Sequence, residues 1–165
     1  MKGTKALQAK TVLDFLVMIH EQSYSQIGRE LHITPQQFSD WIKKRRPIPQ
    51  ERLKSLSAYF QVDETLLVDE RNFTKDLTPV LKIDIQMLLL RKKVETGEEQ
   101  ADIYEATVER LQKERLKQIR IGRLAAILNL DDETVNTLID TVLDEIESGN
   151  TEKLYTLLFT EGDHS

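Results

Sequence analysis

The chain of 165 residues contains no cysteine, and it has little glycine, proline or aromatic side chain. Without cysteine there are no disulfides, no thiolate metal ligands and no cysteine nucleophile. Six glycines and four prolines are too few for a fibrous or disordered chain, and too few for an all-β fold with its many turns. Because only 6% of the residues are aromatic, we expect an aliphatic core and no large aromatic-lined cofactor pocket.

Long apolar runs and catalytic motifs are also missing. No run reaches the roughly 20 residues of a membrane-spanning helix, and the N-terminal residues lack the apolar region and cleavage site of a signal peptide. His20, His32 and His164 are too far apart in sequence to indicate a metal site. No phosphate-binding loop or serine-nucleophile motif is present. The sequence therefore predicts a cytoplasmic protein with no membrane contact, no catalytic residues, no metal and no cofactor.

Charge is distributed unevenly along the chain. The net charge is −5, yet residues 1–62 carry ten lysines and arginines against five acidic residues. Residues 131–165 carry one lysine against ten acidic residues. This asymmetry predicts a basic N-terminal region suited to a polyanion and an acidic C-terminal region of a different kind.

Apolar periodicity predicts helices along the whole chain. Five short helices are expected in the first 67 residues, the first of them over 4–21. Residues 69–79 are polar and without a sustained period, which predicts a linker or the start of the second region. Four longer helices are expected beyond it, with breaks at Gly97 and at 148–150. The predicted organisation is thus a helical domain over 1–68, a linker over 69–79 and a second helical domain over 80–165.

Residues 24–43, YSQIGRELHITPQQFSDWIK, form the most informative segment. Two helices joined by a tight turn must bury their crossing, which requires apolar side chains at fixed spacings and a very small residue at the contact. Gly28 is that small residue, since a glycine inside a helix costs about 1 kcal/mol relative to alanine and needs a packing reason. Ser23 and Thr34 are expected to cap the two helices. The apolar positions are Ile27, Leu31, Ile33, Phe38 and Trp41.

This pattern resembles the helix-turn-helix of the phage-repressor and Cro family, the XRE-like regulators, over about residues 5–67. Two positions differ from the family pattern. His32 stands where the turn usually has glycine, and histidine enters the left-handed region more readily than most residues. Tyr24 stands where the family often has a glutamine that contacts phosphate. The resemblance implies an all-α protein, with an N-terminal five-helix helix-turn-helix DNA-binding domain followed by a helical C-terminal oligomerisation domain.

The resemblance also implies which residues face DNA, because the second helix of the pair, about 35–44, would lie in the major groove. A glutamine amide can bond adenine twice, proline can pack on a thymine methyl, and an aspartate can accept from cytosine or exclude other bases. The implied base-contacting residues are Thr34, Pro35, Gln36, Gln37 and Asp40. The implied contacts to the DNA backbone are Ser23, Tyr24, Lys43, Lys44, Arg45 and Arg46. A basic run alone is more often a solvated surface, but its place beside this motif favours DNA binding.

Residues 80–165 are expected to bring copies of the chain together. A single module of this type makes few base contacts, and such modules usually bind two-fold sites as dimers. We therefore expect a dimer or tetramer formed through 80–165, with a regulatory protein or peptide left open as a further partner. Between 113 and 123 there are five basic residues and one acidic residue. They either pair with the acidic helix that follows, contact the DNA backbone, or bind a partner protein.

Two functions are consistent with the sequence. The first is a sequence-specific DNA-binding transcriptional regulator, expected to be a repressor that binds a pseudo-palindromic operator on double-stranded DNA as a dimer or tetramer. It would act in the cytoplasm, on the nucleoid when bound, and the resemblance implies a phage or mobile-element source. The alternative is a protein-interaction adaptor, of antirepressor or antitoxin type, that acts through the acidic C-terminal helices.

Overall fold

The computed structural model describes residues 9–97 and 100–159, and within these ranges the chain is all-helical, with two isolated backbone bridges and no strand. The all-α prediction is therefore confirmed for this part of the chain. The chain divides into two compact units at Arg115 and Leu116. We call the described residues up to 115 unit 1 and residues 116–159 unit 2. The helices are α1 Val12–Ile19, α2 Tyr24–Leu31, α3 Pro35–Ile42, α4 Gln50–Phe60, α5 Glu64–Leu67, α6 Pro79–Glu95, α7 Ala101–Leu128, α8 Glu133–Glu147 and α9 Thr151–Phe159.

Helix α1 begins later than the predicted start at residue 4. Thr11 is extended and forms the N-cap, where its side chain accepts a hydrogen bond from the Asp14 N–H at 3.2 Å. The backbone of Thr11 is also bridged to Asp76, so it cannot continue a helix toward the N-terminus. The predicted extension is wrong for residues 9–11, and its part over 4–8 lies outside the described residues.

One hydrophobic core holds unit 1 together, and α1 to α6 all contribute to it. Each large apolar side chain that is fully buried contributes roughly 1.5–3 kcal/mol relative to exposure. The largest side chains with almost no exposure include Phe15, Leu16, Phe38, Leu56, Phe60 and Ile85. The five N-terminal helices therefore do not close their core alone, because α6 supplies part of it.

The segment 69–79 is part of unit 1 and does not form the predicted linker. The Ile48 N–H donates to the Asn72 carbonyl at 2.8 Å, and the Val12 N–H donates to the Lys75 carbonyl at 3.0 Å. The side chains of this segment are mostly polar, which is why the sequence resembles a linker. Its backbone groups nevertheless complete hydrogen bonds that α1 and the loop before α4 would otherwise leave open.

Helix α6 is apolar on two faces, and this moves the boundary between the units. Ile85 is fully buried in the core formed with α1. On another face, Ile83 and Met87 pack with Val108 of α7 in a second, smaller core. A helix with apolar side chains on two faces is covered on both. The predicted boundary before 80–165 is therefore wrong, and the second unit begins at residue 116.

Unit 2 consists of the C-terminal part of α7 followed by α8 and α9. Asp132 caps α8 by accepting a hydrogen bond from the Val135 N–H at 3.0 Å. Gly149, with φ of +79°, separates α8 from α9, as predicted for the break at 148–150. No described residue of unit 2 is buried.

Candidate nucleic-acid interface

The contact between α2 and α3 depends on Gly28. A Cβ placed on this residue would lie 2.4 Å from the carbonyl oxygen of Ile33, too close for any side chain. The turn backbone, rather than the side chains of α3, therefore takes the space that glycine leaves. Phe38 and Trp41 cover the crossing from α3, with their ring centroids 5.8 Å apart in a T-shaped, edge-to-face arrangement.

His32 makes the turn between the two helices. It adopts the left-handed conformation, with φ of 54° and ψ of 42°, as expected for a histidine at this turn. The next amide, of Ile33, donates to the Gly28 carbonyl at 2.8 Å. The Arg52 guanidinium from α4 donates to the Leu31 carbonyl at 2.7 Å. The end of α2 is thus held from two sides, which fixes where α3 begins.

Both helices start with a reciprocal capping box. Ser23 exchanges hydrogen bonds with Gln26 at the start of α2. Thr34 does the same with Gln37 at the start of α3, where the Thr34 N–H donates to Gln37 Oε1 at 2.8 Å. Of the predicted base-contacting residues, Thr34 and Gln37 therefore use side-chain groups to begin α3. Pro35 lies exposed at the first position of that helix.

Gln36 is exposed on α3, and its amide is oriented by Asp40. Gln36 Nε2 donates to Asp40 Oδ1 at 2.9 Å. Because an ionised carboxylate only accepts hydrogen bonds, the amide nitrogen must be the atom that faces it. One N–H and the Oε1 of Gln36 remain for another partner. This pair was not predicted from the sequence, although a glutamine four residues before an aspartate in a helix is a known stabilising spacing.

The chain reverses just after α3, and the reversal returns two arginines to the same face. Lys44 is left-handed, with φ of 53°. The Arg45 N–H donates to the Asp40 carbonyl at 2.8 Å, a bond typical of this type of helix end. The guanidinium groups of Arg45 and Arg46 then lie 3.7 and 4.0 Å from the Asp40 carboxylate.

The four predicted backbone-contacting cations differ in their surroundings. Lys44 pairs with Asp76 at 2.6 Å, which ties it to the segment 69–79. Lys43 is exposed at the end of α3. Arg45 and Arg46 have side chains that are 58% and 79% exposed. Because both guanidinium groups are exposed and lie 3.7 and 4.0 Å from Asp40, each ion pair contributes little, and a phosphate can replace the carboxylate as their partner at small cost.

Tyr24 is placed differently from its prediction. Its hydroxyl donates to the Asp14 carboxylate, and its half-buried ring packs on Phe38 at 5.3 Å between centroids. Burial and the neighbouring carboxylate raise the pKa of Tyr24 well above its ordinary value. Its single proton is therefore already used, and a phosphate contact would require breaking the bond to Asp14. Ser23, the other predicted contact at this helix start, is exposed.

The structure thus brings part of the predicted set onto one surface. Gln36, Asp40 and Lys43 follow one another at spacings of four and three residues, so they lie on one face of α3. The returning Arg45 and Arg46 join that face through Asp40. We call these five residues the α3 face. It presents one oriented amide surrounded by cations.

None of the helices in the described residues has both the length and the apolar character required to cross a bilayer. No group of three or more histidine, cysteine, aspartate or glutamate side chains is placed to hold a metal ion in the same residues.

Comparisons with known proteins identify no relative of this chain. No family model matches it, and neither does any curated protein or any solved structure. A functional assignment therefore depends on the geometry of the α3 face and on elementary chemistry.

Proposed function

We propose that this protein is a sequence-specific DNA-binding transcriptional regulator, with α3 as the helix that enters the major groove. The observation that carries the proposal is the Gln36 amide, exposed and held by Asp40 on a face that also bears cations. A major groove accepts one α-helix, and its base edges present hydrogen-bond donors and acceptors.

The free groups of Gln36 match adenine. The remaining N–H of Nε2 can donate to adenine N7, and Oε1 can accept from the adenine N6 amino group. The bond to Asp40 prevents the amide from flipping, so the donor and the acceptor are ordered before binding. In this proposal Asp40 positions Gln36 and does not contact a base itself.

Phosphate contacts supply the affinity. Lys43 is exposed, and the two arginines can exchange the Asp40 carboxylate for a phosphate. Their positive charge also offsets the repulsion that Asp40 alone would exert on the DNA backbone. The basic balance of residues 1–62 extends this attraction over the N-terminal region.

One α3 contacts only a few base pairs, so specific binding requires two copies. We propose a pseudo-palindromic operator bound by a dimer or tetramer, and repression by occluding a promoter. No chemical step is needed for this activity.

The test is a selection from random double-stranded DNA with the full chain, followed by binding of the enriched site. We expect Gln36→Ala to weaken binding by roughly 1–3 kcal/mol and to relax the preference at one base pair of each half-site. Gln112→Ala, which removes an exposed glutamine from α7, is the matched control and should leave binding unchanged.

A second variant separates phosphate contact from base contact. Lys43→Ala should weaken binding to all sequences alike and reduce the slope of affinity against salt by about one. Arg110→Ala, an exposed cation on α7, is its control. If the selection enriches no sequence, or if Gln36→Ala leaves the selected preference intact, the proposed function is wrong.

One observation favours a second candidate, a protein-interaction adaptor. No described residue of unit 2 is buried, and residues 131–165 are strongly acidic. A chain that enriches no DNA but binds a basic protein through residues 131–159 would support this alternative.

A further inference from the structure

The Asp40 carboxylate is the one negative charge of the α3 face, and it contacts the other polar groups of that face. Its Oδ1 accepts the hydrogen bond from Gln36 Nε2 at 2.9 Å. Guanidinium nitrogens of Arg45 and Arg46 lie 3.7 and 4.0 Å from its two oxygens. Because the Asp40 side chain is only 14% exposed, these neighbours compensate its charge more than water does.

The stability of α3 does not account for an acidic residue at position 40. Asp40 lies in the last turn of α3, where the partial negative charge of the helix end disfavours a carboxylate. Its ion pairs with two exposed arginines add little. An asparagine four residues after a glutamine can form the same kind of helix-stabilising hydrogen bond without a charge.

The carboxylate differs from an asparagine amide in one property that matters to Gln36. An ionised carboxylate only accepts hydrogen bonds, whereas an amide both donates and accepts. Asp40 therefore admits one orientation of the Gln36 amide, with Nε2 toward Asp40. An asparagine at position 40 would admit both orientations, because its own N–H groups can donate to Gln36 Oε1.

The orientation of the Gln36 amide decides between the two purines. Held by Asp40, the amide presents one N–H and the acceptor Oε1, which match N7 and the N6 amino group of adenine. Guanine presents two acceptors, N7 and O6, so Oε1 would face another acceptor there. The flipped amide presents two N–H groups and would accept guanine.

The charge of Asp40 has a separate effect, which does not depend on base sequence. Phosphates repel a carboxylate on the face that contacts DNA. In the free chain Arg45 and Arg46 offset this charge, but arginines that move onto phosphates offset it less. Asp40 therefore weakens binding to every duplex.

We propose that Asp40 is a specificity-determining residue that lowers the affinity for all DNA while fixing Gln36 in the orientation that selects adenine over guanine. Asp40 acts through Gln36 and through its charge, without touching a base. The proposal rests on the proposed function, because the choice between purines requires α3 in the major groove. The effect of the charge is measurable on a duplex of any sequence.

The experiment compares the natural full chain with Asp40→Asn on three duplexes. One contains the selected site, one has the adenine opposite Gln36 replaced by guanine, and one contains no selected site. We expect Asp40→Asn to bind the third duplex about twofold more tightly or better, with a steeper dependence on salt. Its preference for adenine over guanine should fall by about threefold or more.

Two further variants separate the two effects. Asp40→Ala removes the charge and the acceptor together, so it should also tighten binding to the third duplex and relax the preference among all four bases. Glu105→Gln, which removes an exposed carboxylate from α7, is the matched control and should change neither quantity. Damage to the fold would weaken binding and preference together, so it cannot produce tighter binding with a lower preference.

The outcomes distinguish this proposal from the proposed function. If Asp40→Asn binds the third duplex no more tightly than the natural chain, or keeps the full preference for adenine, the role of Asp40 is wrong although the regulator itself stands. If the selection with the natural chain enriches no site, the proposed function fails and the choice between purines fails with it.

Tighter binding together with a reduced preference for adenine, absent from Glu105→Gln, is the result that supports Asp40 as the residue that sets specificity.

Discussion

Unit 1 and unit 2 are both built from amphipathic helices joined by short turns, but only unit 1 encloses a core. In unit 1 the apolar faces of α1 to α6 meet, and side chains such as Phe38 and Ile85 are removed from water. In unit 2 the equivalent side chains, such as Leu138, remain exposed. An apolar face thus predicts that a helix will be covered, but it does not say whether the same chain supplies the cover.

The largest expected effect comes from removing one apolar side chain from each unit. Phe38→Ala should lower the free energy of unfolding by about 3–5 kcal/mol, because it leaves a cavity in a closed core. Leu138→Ala, measured in protein dilute enough to be a single chain, should change it by less than about 0.5 kcal/mol. Urea unfolding followed by circular dichroism measures both. Equal losses would mean that unit 2 has a core of its own.

The next test adds a methyl group to one glycine in each unit. Gly28→Ala should destabilise unit 1 by about 1–3 kcal/mol, since its Cβ would meet the Ile33 carbonyl oxygen at 2.4 Å. Gly122→Ala meets nothing within 4 Å and lies within α7. It should stabilise that helix by roughly 0.5–1 kcal/mol. Thermal unfolding of the two variants should therefore shift in opposite directions, and shifts of the same sign would contradict the geometry at one of the two sites.

The smallest expected effect is on the stability of unit 1 at low pH. Asp69 accepts backbone hydrogen bonds from Phe73 and Arg71, and these bonds lower its pKa below the ordinary value of 3.8. Because its pKa is lower in the folded state, this carboxylate stabilises unit 1 above its ordinary pKa. That stabilisation is lost as the pH falls through the folded pKa.

Asp69→Asn keeps an oxygen acceptor but removes the charge, so the stability of unit 1 should decline less steeply below pH 3.8. Urea unfolding at neutral pH and below that value measures the difference. Glu145→Gln is the counterpart in unit 2, where Lys153 and Asn150 lower the pKa of Glu145. It should leave the unfolding of unit 1 unchanged, and an altered acid response of unit 1 would show that the two units unfold together.

Local features of the fold were predictable from the sequence. The caps at Ser23 and Thr34 and the left-handed turn at His32 depend on neighbouring residues only, and all three are confirmed. The unit boundary was not predictable, because it depends on the two faces of α6 meeting two different cores. The backbone hydrogen bonds of 69–79 likewise join residues far apart in sequence, so its polar composition indicated a linker.

In the candidate site, too, features that depend on neighbouring residues were predictable and contacts between distant residues were not. The exposed positions of Gln36 and Lys43 follow from helical periodicity once the start of α3 is known. The bond between Gln36 and Asp40 has a local signal that the sequence analysis passed over. The bond from Tyr24 to Asp14 joins two helices, and no spacing in the sequence indicates it.

The pairing of 69–79 with the rest of unit 1 has a consequence for fragments of this protein. A fragment that ends at residue 68 would lack the carbonyls that accept hydrogen bonds from the Val12 and Ile48 amides. It would also lack Ile85, which belongs to the core. The hydrogens of those amides would exchange with solvent, and proteases would cleave the frayed end of the fragment. The earliest cut that spares unit 1 falls inside α7, after Arg115. A recombination event that moved the α3 face into another gene would therefore have to carry about 70% of this chain with it, residues 1–115 of 165.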